Sequence, residues 1–198
     1  MEMKNKKLKN LYALMKADLH QWCLKTNRAY SFRTWMLFFI KDPAFRRLLD
    51  YRIKTSGIKI LKLFRPFTFF SSLHLNLLIL SDKSTKGIGG GLFFTHGFST
   101  VIYCKSMGEN CQIYQQVTIG NNRGIPTIGN NVVICAGAKV IGPITIGDDC
   151  VIGANAVVTK DIPSHSIVVG IPAKIIKTRD SIDQPWKEMR KNYKIVGQ

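Results

Sequence analysis

From Ile128 to Ile162 the chain returns to a branched aliphatic residue every six positions: Ile128, Ile134, Val140, Ile146, Ile152 and Val158. Four residues after each stands Val132, Ala138, Ile144, Cys150, Ala156 or Ile162, small or aliphatic in every case. A half-buried strand alternates with period two and an amphipathic helix beats at 3.6 residues, so neither accounts for a beat of six. Short strand segments joined by corners do, with the first and fifth positions of each hexapeptide turned inward. Stacked coils of this kind hydrogen-bond to one another at about 4.8 Å, and their aliphatic columns merge into one core. Gly129, Gly142, Gly147 and Gly153 fall at or near the corners, where a positive φ is expected. A buried β-sandwich would need all these matches by accident.

The same frame runs backwards through Met107, Ile113 and Ile119, with Cys111 and Val117 at fifth positions. Between Ile119 and Ile128 the step is nine instead of six, so Asn121-Asn122-Arg123-Gly124-Ile125-Pro126 must bulge out. Ile88, Phe94 and Ile102 extend the coil in looser register.

Upstream, residues 8–80 read as helical. Asp42-Pro43 supplies a capping side chain and a proline for the first helical position, and Gly57 a stop, predicting a helix over about 43–55. The apolar stretch Phe67 to Leu80 is too short to cross a bilayer, which takes about 20 apolar residues. It is expected to be buried against the coil or between subunits, with a helix in a membrane interface as the rival, since Lys54, Lys59, Lys62 and Arg65 precede it. After the coil, Asp183 and Pro185 open a short helix over about 184–194. That helix could cover the open end of a parallel stack.

The charge is lopsided. Of 29 Lys and Arg, 16 lie in residues 1–80 against four Asp and Glu there, leaving the coil close to neutral. Such a field attracts anionic partners. No basic-aromatic nucleic-acid module is present, so nucleic acid is not among those expected. The five cysteines lack paired spacing, which argues against zinc or a disulfide framework and for a reduced, cytoplasmic setting. No metal site is expected, and neither is a secretory signal, since no apolar run with a small-residue cleavage site follows Met1 to Lys7.

With this repeat, the segments Phe94-Thr95-His96-Gly97, Cys135-Ala136-Gly137-Ala138-Lys139 and Gly170-Ile171-Pro172-Ala173-Lys174 resemble those of hexapeptide-repeat acyltransferases. Nearest are serine acetyltransferases and the related O-acetyltransferases of bacterial polysaccharide clusters. The resemblance implies a left-handed parallel β-helix, with an N-terminal α-helical region and a short C-terminal helix. It implies three parts: a helical region over 1–80, an acetyltransferase domain over 81–178 and a tail over 179–198. It also implies a homotrimer that uses acetyl-CoA.

His96 matches the family's catalytic histidine, and a neutral imidazole is suited to taking a hydroxyl proton. The partner orienting it stays open among Asp82, next to the matching Ser81, Glu109 and a backbone carbonyl. Ala136, Gly137, Ala138 and Ala154 are the small residues expected along the pantetheine arm, and Gly170, Pro172 and Lys174 the exit segment. Lys139 and Lys174 are candidate phosphate contacts. Gln115, Gln116, Asn121 and Arg123 are candidates on the acceptor side, and the Gln115 or Gln116 amide or a backbone N–H near Cys135 could meet the oxyanion.

The chain departs from serine acetyltransferases at Thr95, where they carry Asp, and at Gly124-Ile125, where they carry His. A sugar hydroxyl needs neither group. The expected reaction is therefore acetyl transfer to a sugar hydroxyl of a surface polysaccharide or its precursor. The alternatives are serine O-acetyl transfer and a non-catalytic trimeric scaffold docking at a membrane through its basic helices. His165 is expected in a structural turn, and His20 and His74 in packing or surface roles. Cys104 and Cys135 are the nucleophiles that a covalent acetyl-enzyme route would need.

Overall fold

The computed structural model describes residues 2–58, 76–80, 87–185 and 187–188. Three helices open it: α1 (Glu2–Lys25), α2 (Phe32–Lys41) and α3 (Pro43–Thr55). The sequence signals for α3 act as expected. Asp42 Oδ1 accepts the backbone N–H groups of Ala44 and Phe45 at 2.9 and 3.1 Å, Pro43 takes the first position, and Gly57 follows the end at φ 68°. Ser31 caps α2 in the same manner through the N–H of Thr34.

The chain then winds as a three-faced parallel coil. Its first turn carries β1 (Leu78–Ile79), β2 (Gly87–Ile88) and β3 (Phe93–Thr95), and the second β4 (Val101–Ile102), β5 (Ser106–Met107) and β6 (Gln112–Tyr114). Next come β7 (Thr118–Gly120), β8 (Thr127–Ile128) and β9 (Val133–Ile134), then β10 (Lys139–Ile141), β11 (Thr145–Ile146) and β12 (Val151–Ile152). β13 (Val157–Val158) and β14 (Ser166–Val169) complete the stack. Each strand pairs in parallel with its counterpart one turn away, giving the sheets β1-β4-β7-β10-β13, β2-β5-β8-β11 and β3-β6-β9-β12-β14. Leu78–Ile79, at the end of the stretch read as helical, is thus the first strand of its sheet; most of Phe67 to Leu80 and all of His74 lie outside the described residues.

The hexapeptide frame predicts the core residue by residue. Ile128, Ile134, Val140, Ile146, Ile152 and Val158 are all buried, as are Val132, Ala138, Ile144, Cys150, Ala156 and Ile162. The backward extension through Met107, Ile113, Ile119, Ile88, Phe94 and Ile102 is buried too. The nine-residue step forms the expected loop between β7 and β8, closed by Asn121 Oδ1 accepting the Gly124 N–H at 2.9 Å.

The glycine expectation needs correcting. Of Gly129, Gly142, Gly147 and Gly153, only Gly142 has a positive φ. The left-handed corners are held by Asn110, Asn131, Asp149, Asn155 and His165. Short polar side chains, Asn and Asp above all, tolerate that conformation. Glycine is needed instead where successive coils nearly touch. A Cβ on Gly108 would lie 2.7 Å from the backbone of Gly129, and one on Gly129 would lie 2.8 Å from the backbone of Gly147.

The helices cover the edge strands of the first turn. Trp22 lies edge-on to Phe38, Phe45 and Phe93, and its Nε1 donates to the Leu92 carbonyl at 2.9 Å. The buried pair Arg52–Asp18 (2.9 Å) ties α3 to α1. Arg52 also donates to the carbonyls of Ile88 and Gly89, and Asp18 accepts the N–H groups of Gly91 and Leu92. Among the described residues no helix is long and apolar enough to cross a membrane.

At the other end β15 (Lys174–Thr178) folds back antiparallel on β14, and β16 (Lys187–Glu188) pairs antiparallel with β15. The short helix expected over 184–194 is therefore absent from its described part. The unpaired edge of β14 is covered by strand addition instead, which satisfies its backbone groups directly. The turn is locked by Asp149, whose carboxylate accepts from Arg179 Nε at 2.7 Å, from Arg179 Nη2, and meets His165 Nδ1 at 2.8 Å.

Candidate active site

His96 lies at the corner between β3 and β4, is exposed, and holds φ 65° beside Gly97 at 64°. The same corner recurs in every turn. Gln116 donates its N–H to the Phe98 carbonyl, Gly137 to that of Gln115, Asn155 to that of Ala136, and Val157 to that of Gly170. His96, Gln115, Gln116, Ala136, Gly137, Ala138, Ala154 and Gly170 thus form one column along a single edge of the coil. Asn121 and Arg123 do not join it. They stand exposed in the loop between β7 and β8, at a different corner.

The column partly suits a slender pantetheine chain. Ala154, Gly170, Ile171 and Pro172 are exposed and Ala136 and Gly137 half-buried, so apart from Ile171 and Asn155 small groups and backbone line this stretch. Gly137, at φ 73°, is bare for a local reason: a Cβ there would collide with the Asn155 side-chain oxygen of the next turn. Ala138 points into the core and lines nothing outside. Lys139 donates Nζ to the Gln116 carbonyl at 2.8 Å, which ties it to the coil, whereas Lys174 is exposed at the start of β15. Among the described residues no cluster of His, Cys, Asp or Glu could hold a metal ion.

Of the partners considered for His96, Asp82 and Ser81 lie outside the described residues. Glu109 stands at the corner between β5 and β6, a different edge from that of His96, and is corrected on that ground. Thr95 Oγ1 accepts from Gln112 Nε2 at 3.1 Å, a neutral pair reaching from one turn to the next.

One neighbour escaped the sequence reading. The first turn of α3 packs on this corner, since a Cβ on Gly97 would lie 3.2 Å from the Ala44 Cβ, and the half-buried Asp42 carboxylate is within electrostatic reach of His96. Burial pushes the Asp42 carboxyl above the usual carboxylate range, against the N–H groups of Phe45 and Ala44 and the charges of Arg46 and His96. In the sequence Asp42 carries only a helix-cap signal, which conceals any second role.

The cysteines are poorly placed for covalent catalysis. Cys104 is buried and its thiol is pushed up to about 12 by burial; Cys111, in the core, likewise reaches about 12. Burial also raises Cys135, half-buried, and no cationic group opposes the shift. A nucleophilic thiol needs the opposite shift.

Residues 125–160 match the family model of the bacterial transferase hexapeptide, six repeats. The chain is 37% identical over 158 residues to a serine acetyltransferase of Synechococcus elongatus and 52% identical over 97 residues to one of Staphylococcus xylosus. These alignments take in 71% and 46% of this chain, which spans 65% and 44% of the two relatives' own lengths. A serine acetyltransferase solved in complex with CoA superposes with a TM-score of 0.68 at 22% identity, covering 88% of this chain and 73% of that one. The coil with its preceding helices therefore has the fold seen in serine acetyltransferases, and the chain carries the bacterial transferase hexapeptide repeat.

Proposed function

We propose that the protein transfers the acetyl group of acetyl-CoA to the hydroxyl of L-serine, with His96 as general base in direct attack on the thioester. The observation that carries this is the exposed His96 imidazole, set on the one edge of the coil that also holds the small-residue column. The curated relatives, at 37 and 52% identity, are serine acetyltransferases, which favours serine over the sugar expected first. Direct transfer is preferred because no described cysteine has a lowered pKa. Ala136, Gly137, Ala154, Gly170 and Pro172 would line the pantetheine arm, with Lys174 near the phosphates. Ala138 would shape that edge from within the coil, and Lys139 from its surface through the Gln116 carbonyl.

The acceptor-side candidates are divided. Gln115 and Gln116 share the edge of His96, while Asn121 and Arg123 stand at another corner, so one chain does not assemble them. A homotrimer that sets the His96 edge of one copy against the loop of the next would, and sedimentation at a threefold mass is the check. The reaction is placed in the cytoplasm, with the basic helices free to meet an anionic membrane surface.

A sugar hydroxyl remains the second reading. It is favoured by Thr95, whose hydroxyl pairs with the neutral Gln112 amide where serine acetyltransferases resemble one another in carrying Asp. Thiol release from acetyl-CoA, measured with L-serine and separately with oligosaccharides, distinguishes the two. His96→Ala is expected to lower turnover by about a hundredfold or more. Near-wild-type turnover would remove His96 from the reaction, and absence of acetyl-CoA binding in calorimetry would leave a scaffold.

A further inference from the structure

We infer that the outward face of α2 is a docking surface for an anionic lipid bilayer, its apolar side chains entering the interface while the Lys and Arg around it meet the headgroup phosphates. This rests on the reading that the basic helices meet an anionic membrane surface, and it names the face that does so. Only Thr34 and Phe38 of α2 are buried, four residues apart on one side of the helix. Most of the remaining helix surface is apolar. Phe32 is 76% and Ile40 62% exposed, Leu37 is exposed too, and Trp35, Met36 and Phe39 are half-buried. The rings of Phe32, Trp35 and Phe39 stack in sequence, with centroids 6.0 and 5.2 Å apart. A contiguous apolar patch of this kind marks an interaction site, whereas apolar side chains exposed singly do not.

The helix is fixed with that face outward. Ser31 caps its first turn, and at the other end Arg46 Nη1 donates to the carbonyls of Phe39 and Ile40 at 2.9 and 2.7 Å, so α2 is not free to roll its apolar side inward. Charge then selects the occupant. Every exposed charged side chain from Asn5 to Ile58 is Lys or Arg, because Asp18 and Asp50 are buried and Asp42 is half-buried in its cap. Arg33 and Lys41 belong to α2 itself, and Arg28 lies over the Phe38 ring, 5.8 Å from its centroid. An aromatic and aliphatic face flanked by cations is the pattern of a helix lying in the interface of an anionic membrane, where apolar burial and attraction to lipid phosphates add. A second copy seated on the same face would set these cations against their own kind.

Flotation of the full chain with lipid vesicles tests this. Binding is expected to vesicles of phosphatidylglycerol and phosphatidylcholine in equal parts, and not to phosphatidylcholine alone; equal binding to both overturns the charge argument. The double variant Phe32→Ser with Ile40→Ser should keep the melting temperature, since both side chains are exposed. Its affinity for the anionic vesicles should fall by about tenfold or more, as removal of two apolar side chains from a buried face predicts. Equal affinity of variant and wild type overturns the α2 face and leaves only a diffuse attraction of the basic helices. No binding of the wild type to anionic vesicles overturns both. A fall in sedimenting mass of the double variant without lipid would make the face a contact between copies of the chain, and also overturns the inference. Thiol release from acetyl-CoA in free solution should be the same in variant and wild type, so the acetyl-transfer reading stands or falls separately.

Discussion

A methyl group added at Gly129 would lie 2.8 Å from the backbone nitrogen of Asp148 and from the carbonyl carbon of Gly147. Neither atom can yield without breaking the ladder between turns, so Gly129→Ala is expected to cost about 1–3 kcal/mol, the range for overpacking. Gly120→Ala is the control, since its nearest neighbours are side-chain atoms at 3.7 and 3.8 Å. Urea denaturation of the two variants tests the contrast, and equal midpoints would contradict it. The inward aliphatics were legible at this scale because their period is set by the chain's own geometry. The division of labour between glycine and asparagine was not. Both residue types sit at corners, and only the path of the neighbouring turn separates a position that needs a left-handed backbone from one that needs no side chain.

Among the elements, the C-terminal strands depend on a single carboxylate. Burial alone would raise Asp149, but hydrogen bonds from Arg179 and His165 outweigh it and hold its pKa below the usual carboxylate range. A carboxyl lowered by folding stabilises the native state above its unfolded value of about 3.9, and the contribution is lost as pH falls through the folded value. Asp149→Asn suits the corner, where φ is 54°, and removes the charge and one of the two acceptor oxygens that meet Arg179 and His165. It is expected to lower the melting temperature by a few degrees at pH 7, in keeping with about 1–3 kcal/mol for hydrogen bonds to a charged group. Melting curves on either side of pH 4 should show the difference from wild type shrinking in acid; a constant gap would refute the assignment. The helix expected at 184–194 illustrates what a local signal omits. Asp183 and Pro185 can start a helix, but the exposed edge of β14 recruits strands, and that edge exists only once the coil has formed.

For the molecule as a whole, the question is how a helical segment and a coil become one body. Arg52 and Asp18, with side chains 1% and 4% exposed, meet four backbone groups of the first turn between them. Arg52→Ala strands a buried carboxylate and is expected to cost about 3–5 kcal/mol. Asp18→Leu with Arg52→Met should restore part of that loss, and chemical denaturation of the single and double variants gives the comparison. The pair lies 34 residues apart, at positions that look like ordinary surface charges in a helical pattern. Its burial could not be read without knowing which helix face meets the coil.

By itself the sequence determined the coil, its register, its extra loop and the capped helix α3, because each follows from contacts or preferences within a few residues or one repeat. The resemblance of Phe94-Thr95-His96-Gly97 to a family segment singled out His96, and the repeat accounts for its place at a coil corner. Only the tertiary structure decided that the first turn of α3 packs on the His96–Gly97 corner, that Arg123 stands at a different corner, and that strands close the far end. Those facts depend on groups distant along the chain and brought together by packing, and no spacing along the sequence encodes the distance between them.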